Sequence, residues 1–171
     1  NWGYISRNPN ITMQFINDNL DQHWSWNWIS ANSGITIQDV INNPDKPWDW
    51  KWLSMNPNLT MQFINDNLDQ HWSWRMISMN PNITILDINN NLDKPWIWEE
   101  LSIKSNIVDI INNPNNPWSW YHISMNTNLT IQFINNNPNK DWNWHILSRH
   151  QNITINDIIN NPDKFIFNSI F

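Results

Sequence analysis

Residues that could act as nucleophiles recur at regular intervals along this chain. Serine occupies one place of a repeating pattern, at Ser6, Ser30, Ser54, Ser78, Ser102, Ser124 and Ser148. A catalytic serine needs a base within hydrogen-bond reach and donors for the oxyanion. Seven equivalent serines with no base beside them instead favour a tight helix end, where a small hydroxyl bonds back to a carbonyl. The sequence contains no HExxH motif, glycine-rich phosphate loop or G-x-S-x-G elbow. We therefore expect no enzyme and no cofactor.

Composition narrows the classes of partner. The absence of cysteine excludes a disulfide framework and removes the commonest structural zinc ligand. The formal net charge is −6 and no Lys/Arg cluster is present, which argues against nucleic acid or an anionic membrane as partner. No apolar run approaches the ~20 residues of a membrane span. We expect no metal, no nucleic acid and no membrane, and a protein partner or self-assembly.

Five segments satisfy the N-x-[ST] glycosylation pattern. Their asparagines are Asn10, Asn58, Asn82, Asn128 and Asn152. Glycosylation would require a secretory signal outside these residues. The alternative is structural, because asparagine is a common turn residue and the threonine is needed at the start of a helix. The sequence leaves both interpretations open.

The chain is built from repeats of 24 residues. The interval between successive pattern serines is 24 residues, except for one interval of 22 between Ser102 and Ser124. A fixed period of this size is typical of a solenoid or array. We predict one repeat domain over residues 1–171 with a degenerate last unit at 149–171. Because the chain opens in the middle of a unit and without Met, we expect it to come from a longer polypeptide.

Each repeat begins with a capped helix. A hydroxyl or amide residue precedes the apolar run in every repeat, at Thr12, Thr36, Thr60, Thr84, Asn106, Thr130 and Thr154. Such residues accept a hydrogen bond from a free backbone N–H of the first turn. In four repeats, those of Thr36, Thr84, Asn106 and Thr154, an aspartate three residues later predicts a capping box. The helix should end at the following Asn-Asn-Pro, because proline cannot continue the hydrogen-bond ladder.

A second helix is predicted around the tryptophan pair. Pro47, Pro95 and Pro117 are expected in its first turn, where proline is tolerated. An apolar residue follows the second tryptophan by three positions, at Ile29, Leu53, Ile77, Leu101, Ile123 and Leu147. This i, i+3 spacing indicates a helical core stripe. The predicted fold is all-α, an α-solenoid of about seven helix hairpins, with each helix roughly eight to ten residues long.

The tryptophans form two series. Second-place tryptophans share the stripe with Ile/Leu and are predicted to be core: Trp26, Trp50, Trp74, Trp98, Trp120 and Trp144. First-place tryptophans should pack across the seam between repeats or on the proline turn: Trp24, Trp48, Trp72, Trp96, Trp118 and Trp142. The alternative for this second group is an exposed ladder of rings that binds sugars or peptide side chains.

The repeat resembles a known viral family. The segments "NPNITIQDVINNPDKPWDW" and "NPNLTMQFINDN" are similar to the tryptophan-repeat gene family of giant DNA viruses. The similarity covers nearly the whole chain, apart from Asn32-Ser33-Gly34, the shortened turn at Lys104–Asn106 and the apolar end "KFIFNSIF". The resemblance implies a viral origin, in host cytoplasm or virion, and implies no catalytic residues.

Two functions agree with this sequence. In the first, the variable position two residues after the second tryptophan, here called the third place, lines a binding face for a protein partner; it includes Met76, Glu100 and His122. In the second, the chain is a structural or assembly component of a virion or filament. Phe165, Phe167 and Phe171 either fold under the last repeat as a cap or form an interface.

Overall fold

The structure is a computed structural model that describes residues 1–165, apart from the side chain of Asp163. Within that range it contains short α-helices and no strand. It divides into two compact units, an amino-terminal unit Asn1–Trp96 and a carboxy-terminal unit Ile97–Phe171. The predicted all-α class and the helix-hairpin repeat are confirmed.

The amino-terminal unit contains eight helices. They are α1 Trp2–Ile5, α2 Met13–Asn17, α3 Trp26–Ser30, α4 Ile37–Asn42, α5 Trp50–Leu53, α6 Met61–Asp66, α7 Trp74–Met79 and α8 Ile85–Asn89. The described part of the carboxy-terminal unit contains seven more. They are α9 Trp98–Lys104, α10 Ile107–Asn112, α11 Trp120–Ile123, α12 Ile131–Asn136, α13 Trp144–Leu147, α14 Ile155–Ile159 and α15 Pro162–Phe165.

Every predicted cap residue stands at the N-terminus of a helix. The six threonine hydroxyls each accept a hydrogen bond from the backbone N–H three residues later. Capping boxes form at Thr36, Thr84 and Thr154. The hydrogen bond from the Thr154 hydroxyl lowers the pKa of Asp157, so that box is weakened as the pH falls. The box predicted at Asn106 does not form, because its amide oxygen accepts from Val108, two residues later.

Replacing a capping threonine should lower the free energy of unfolding by a small but measurable amount. We expect Thr36→Ala to reduce the free energy of unfolding by about 1 kcal/mol, because the N–H of Asp39 loses its acceptor. Thr36→Ser keeps an oxygen at the same place and should be nearly silent. Urea unfolding of both variants measures the difference. Equal damage from Ser and Ala would show that the hydroxyl is not the reason for threonine here.

The second helix of each repeat begins later than predicted. In the hairpin at α5, Asp49 is the N-cap and its carboxylate accepts from the N–H of Trp52, so Pro47 lies before the helix. The prediction for Pro47, and by the same reasoning for Pro95 and Pro117, was wrong, since α9 and α11 also begin at the second tryptophan. Asp49 is extended (φ −92°, ψ 100°). This extended segment carries the first-place ring back toward the preceding helix end.

The predicted helix length was also wrong. The helices of the hairpins span four to seven residues rather than eight to ten. The N-P-N loop and the turn before the tryptophans occupy the remainder of each repeat. Helices this short are unstable in isolation, so their stability must come from contacts with neighbouring repeats.

The core of each unit is a line of aliphatic side chains. Ile29, Leu53, Ile77, Leu101, Ile123 and Leu147 are all fully buried, at 0 % exposure. The first helices contribute residues such as Ile16, Ile64 and Ile134, which are buried to the same extent. This arrangement fixes which face of each second helix points inward, and therefore which positions face solvent.

Candidate interaction surface

The pattern serines are part of the hydrogen bonding between repeats. The Ser54 hydroxyl donates to the carbonyl of Trp50 at 3.0 Å, one turn earlier in its own helix. Its oxygen also accepts from the N–H of Ser73 in the next repeat at 3.0 Å. The side chain is fully buried. A buried serine that donates and accepts in this way has a structural role, because it connects one repeat to the next.

Asparagine completes this bonding. In four repeats, the first asparagine of the N-P-N loop or its equivalent reaches across to the preceding repeat. The amide of Asn56 donates to the carbonyls of Ser30, Asn32 and Ile35 at 2.9–3.1 Å, and its oxygen accepts from Asn58. It is fully buried. Asn32 and Asn80 make the same cross-repeat contacts in the amino-terminal unit, and Asn126 does so in the other.

His150 takes the place of this asparagine in the last repeat. Its Nε2 lies 3.0 Å from the carbonyl oxygen of Asn126, and its Nδ1 lies 3.2 Å from the N–H of Asn152. Because a carbonyl only accepts and a backbone N–H only donates, this geometry assigns the proton to Nε2. The histidine therefore reproduces both bonds of the asparagine, which gives it a structural role.

First-place tryptophans are the more deeply buried series. Trp48, Trp96, Trp118 and Trp142 are only 6–8 % exposed. All six indole N–H groups donate to the carbonyl of the asparagine five residues earlier, at 2.7–2.9 Å. The first-place rings therefore pack on the turn that precedes them. This turn contains proline before the four buried rings, whereas the turns before Trp24 and Trp72 lack proline and these two rings are half-buried. These rings are not an exposed ladder for sugars or peptides.

Second-place tryptophans are half-buried, so their predicted core position was wrong. This holds for Trp26, Trp50, Trp74, Trp98, Trp120 and Trp144. Each packs edge-to-face on the first-place tryptophan of the following repeat, as in Trp50–Trp72 at 5.2 Å, or on Phe165 in the last case. The prediction placed both rings on one helix, whereas the first ring precedes the helix and takes the deeper position.

Of the two roles predicted for Phe165, the structure agrees with packing under the last repeat, and the prediction of an interaction surface was wrong. Its side chain is 2 % exposed and packs edge-to-face on Trp144 at 5.2 Å. It therefore fills the position of a first-place tryptophan in the last repeat. Phe167 and Phe171 lie outside the described residues.

Third-place residues remain available on the surface. Trp28, Trp52 and Met76 of the amino-terminal unit are half-buried, and so are Glu100, His122 and Ile146 of the carboxy-terminal unit. In the amino-terminal unit, the rings of Trp28 and Trp52 contact each other with centroids 4.9 Å apart. Met55 and Met79 lie three residues after Trp52 and Met76 and are 43 % and 50 % exposed. We call Trp28, Trp52, Met55, Met76 and Met79 the third-place face.

The carboxy-terminal unit has a different surface at the third place. The Nδ1 of His122 lies 2.7 Å from the hydroxyl of Ser119. Ile146 lines a shallow hollow with Arg149 and His150. Among the described residues, the third place therefore carries tryptophan only in the amino-terminal unit, although Met125, three residues after His122, is 37 % exposed in the carboxy-terminal unit.

Three of the five glycosylation-pattern asparagines bond to the neighbouring repeat. The amide of Asn58 donates to the carbonyls of Ser33 and Ile35, and the amide of Asn152 donates to Thr127 and Leu129. Asn82 donates to Leu59 at 2.8 Å. Attachment of a glycan to such a nitrogen would remove one of these donors. The contacts supply a structural reason for asparagine at this position.

Comparisons with known proteins identify no relative. No family model, no curated protein and no solved structure matches the chain. The resemblance to the tryptophan-repeat family consequently rests on the motif alone. Within residues 1–165, no three or more histidine, aspartate or glutamate side chains are grouped so as to hold a metal ion. None of the helices described is long and apolar enough to cross a membrane.

Proposed function

We propose that this chain is a non-enzymatic repeat scaffold that binds a protein partner on the third-place face. One observation carries the proposal. The serine, asparagine and first-place tryptophan of each repeat are used in stacking, while Trp28, Trp52 and Met76 differ from repeat to repeat and keep part of their surface exposed. In a repeat protein, positions that stacking does not fix are the ones that can be specialised for recognition.

The chemistry of this face supports a protein ligand. Tryptophan, methionine and arginine are enriched at protein interfaces, and tryptophan is prominent among the residues that dominate binding energy. Methionine adapts its shape to irregular partner surfaces. The motif resemblance supports the further proposal that this scaffold is of giant-virus origin.

Selection of binding peptides tests the proposal. A random peptide library displayed on phage is panned on the whole chain, and the selected peptides are synthesised. Their Kd is then measured for the wild type, Trp52→Ala, Met76→Ala and Leu86→Ala. Leu86 is 66 % exposed and lies outside the third-place face, so it is a matched apolar control.

We expect Trp52→Ala to raise the Kd at least tenfold, the effect of losing about 1.4 kcal/mol of binding free energy. Leu86→Ala should change it less than twofold. Met76→Ala provides a second test if the Trp52 variant melts much lower than the wild type. Equal affinities for all four proteins would place the binding surface elsewhere and contradict the proposal.

A further inference from the structure

The second loop of the N-P-N type differs in sequence from the equivalent loops of the neighbouring repeats. Where Pro9, Pro57 and Pro81 stand between two asparagines, this loop has Ser33, followed by Gly34 in place of the second asparagine. The residue before the loop is Ala31, where the next two repeats have methionine. Ala31 and Ser33 replace larger side chains by small ones, and stacking does not require this change, since the neighbouring repeats stack with the larger residues.

Gly34 is required by the position of its own loop. A Cβ atom at this residue would lie 2.4 Å from the carbonyl oxygen of Ile11 and 2.6 Å from that of Pro9. Both distances are far below van der Waals contact, so the backbone here approaches the first repeat more closely than any other residue type allows. The equivalent Asn58 instead reaches the corresponding carbonyls, those of Ser33 and Ile35, with its side chain.

Ala31 and Ser33 border a hollow on the third-place face. The hollow has a volume of about 330 Å³ and is lined by Ala31, Ser33, Trp28, Trp52 and Met55, among others. Its walls are mainly apolar, and the two tryptophan rings are in contact with each other. A space of this size and lining suits one apolar side chain of a partner.

Arg7 is the one charged residue that lines the hollow. The central carbon of its guanidinium group lies 3.7 Å from the centroid of the Trp28 ring and 5.8 Å from that of Tyr4. Stacking of this kind holds the planar group in place and leaves its N–H edges free to bind. The side chain forms no ion pair or hydrogen bond with another residue in the range 1–165.

We propose that the hollow binds an acidic residue of a protein partner that stands beside an apolar one. The carboxylate pairs with the guanidinium of Arg7, which presents two parallel N–H donors suited to it. The apolar neighbour enters the hollow, against the surface that Trp28, Trp52 and Met55 form. This inference rests on the proposed function, because it specifies the partner chemistry of the same face.

The positive charge of Arg7 favours an acidic partner residue, although the chain as a whole is negatively charged. The chain carries a formal net charge of −6, which repels acidic partners at long range. That repulsion is screened beyond about 8 Å at physiological ionic strength. Contact with a stacked, unpaired guanidinium is not screened in the same way, so the local pair decides which side chain is bound.

An array of short peptides tests the inference. Each peptide has two variable residues within a fixed Gly/Ser frame, and all pairs of amino acids are represented. The whole chain is applied as wild type, Arg7→Gln, Arg7→Lys, Trp52→Ala and Lys51→Gln. Lys51 is exposed on α5 and does not line the hollow, so its replacement removes the same charge from the same unit as a control.

We expect peptides that pair Asp or Glu with an apolar residue to bind about tenfold more strongly than the same peptides with Asn or Gln. Arg7→Gln should abolish this preference, Arg7→Lys should weaken it, and Lys51→Gln should retain it. Equal binding of acidic and amide peptides, no binding at all, or a preference that survives Arg7→Gln would each overturn the inference.

The array also separates the two proposals. If apolar pairs bind regardless of charge and are lost with Trp52→Ala, the face binds protein and only the carboxylate assignment fails. If binding of apolar pairs is unchanged by Trp52→Ala, the proposed function fails with it.

Discussion

Asn56→Asp should destabilise the amino-terminal unit by roughly 3–5 kcal/mol at neutral pH. The amide nitrogen of Asn56 donates to three carbonyl oxygens of the preceding repeat, and the side chain is fully buried. A carboxylate of the same shape cannot donate, so the bonds from this amide are lost and the carbonyl oxygens face a buried negative charge. Each buried group left unpaired costs about 1–3 kcal/mol, and an uncompensated charge adds to this.

The destabilisation caused by Asn56→Asp should depend on pH in a direction that can be predicted. The carboxyl group introduced by Asn56→Asp would have its pKa raised in the folded state, because desolvation and the facing carbonyls disfavour the charged form. The penalty should therefore be complete above that raised pKa and should become smaller as the pH falls through it. Urea unfolding of the wild type and variant at neutral and mildly acidic pH measures both effects.

Asn42→Asp is the matched control. Asn42 is exposed at the end of α4, and its amide oxygen accepts from the Gln38 side chain, a role that a carboxylate also fills. The cost should stay below about 1 kcal/mol, the scale of a negative charge at a helix C-terminus. If the two variants unfolded at the same urea concentration, the cross-repeat bonds of Asn56 would not support the stack as described.

Trp48→Ala should cost about 3–5 kcal/mol. Its ring is 8 % exposed and receives the edge-to-face contact of Trp26 at 5.2 Å. Truncation removes the buried area and leaves a cavity, which is the costliest kind of core substitution. Because stability in a repeat array is a sum of repeat and neighbour terms, the loss should centre on the repeats that contain Trp26 and Trp48.

Trp48→Phe separates packing from hydrogen bonding. It keeps an aromatic ring but removes the indole N–H, which donates to the carbonyl of Asn43 at 2.8 Å. We expect a loss of about 1–3 kcal/mol, the range for a buried acceptor left unpaired. Trp50→Ala, at a half-buried ring, should cost less than Trp48→Ala. If urea unfolding showed a larger loss for Trp50→Ala than for Trp48→Ala, the second-place tryptophans would be the more important core residues, as the sequence predicted.

Local rules in the sequence predicted much of this fold. The repeat period can be read directly from the sequence. The cap residues and the Asn-Asn-Pro end of the first helix depend on chemistry within a few neighbouring residues, as at Thr36 and Asp39. The i, i+3 stripe that contains Leu53 also follows from the geometry of one helix. These features need no knowledge of how repeats meet.

Contacts between repeats were not predictable in the same way. Asn56 resembled an ordinary turn residue, because its three acceptors lie 21 to 26 positions earlier in the chain. Trp48 was placed on a helix because its spacing from Trp50 allowed it, whereas its indole bond to Asn43 requires an extended segment. The recurrence of asparagine, serine and tryptophan at fixed places was the available signal for such contacts.

The hollow beside Arg7 was missed for a related reason. The variable third place was identified from the sequence, but Trp28 and Arg7 are brought together only by the stacking of successive hairpins. The sequence showed that Ser33 and Gly34 replace residues of the N-P-N loop, but Ala31 was not recognised as part of the same change. Their common location becomes apparent once the loop is placed against the first repeat.

Hydrogen exchange of the indole protons tests most directly the division between stacking and surface tryptophans. The first-place N–H groups each donate to a backbone carbonyl, whereas those of Trp28 and Trp52 donate to no residue in the range 1–165. Dilution of the labelled chain into D₂O, followed by two-dimensional NMR of the indole signals, should show slow exchange for the first-place series. The signals of Trp28 and Trp52 should disappear first. Slow exchange at Trp28 and Trp52, or rapid exchange at Trp48 and Trp96, would contradict the account.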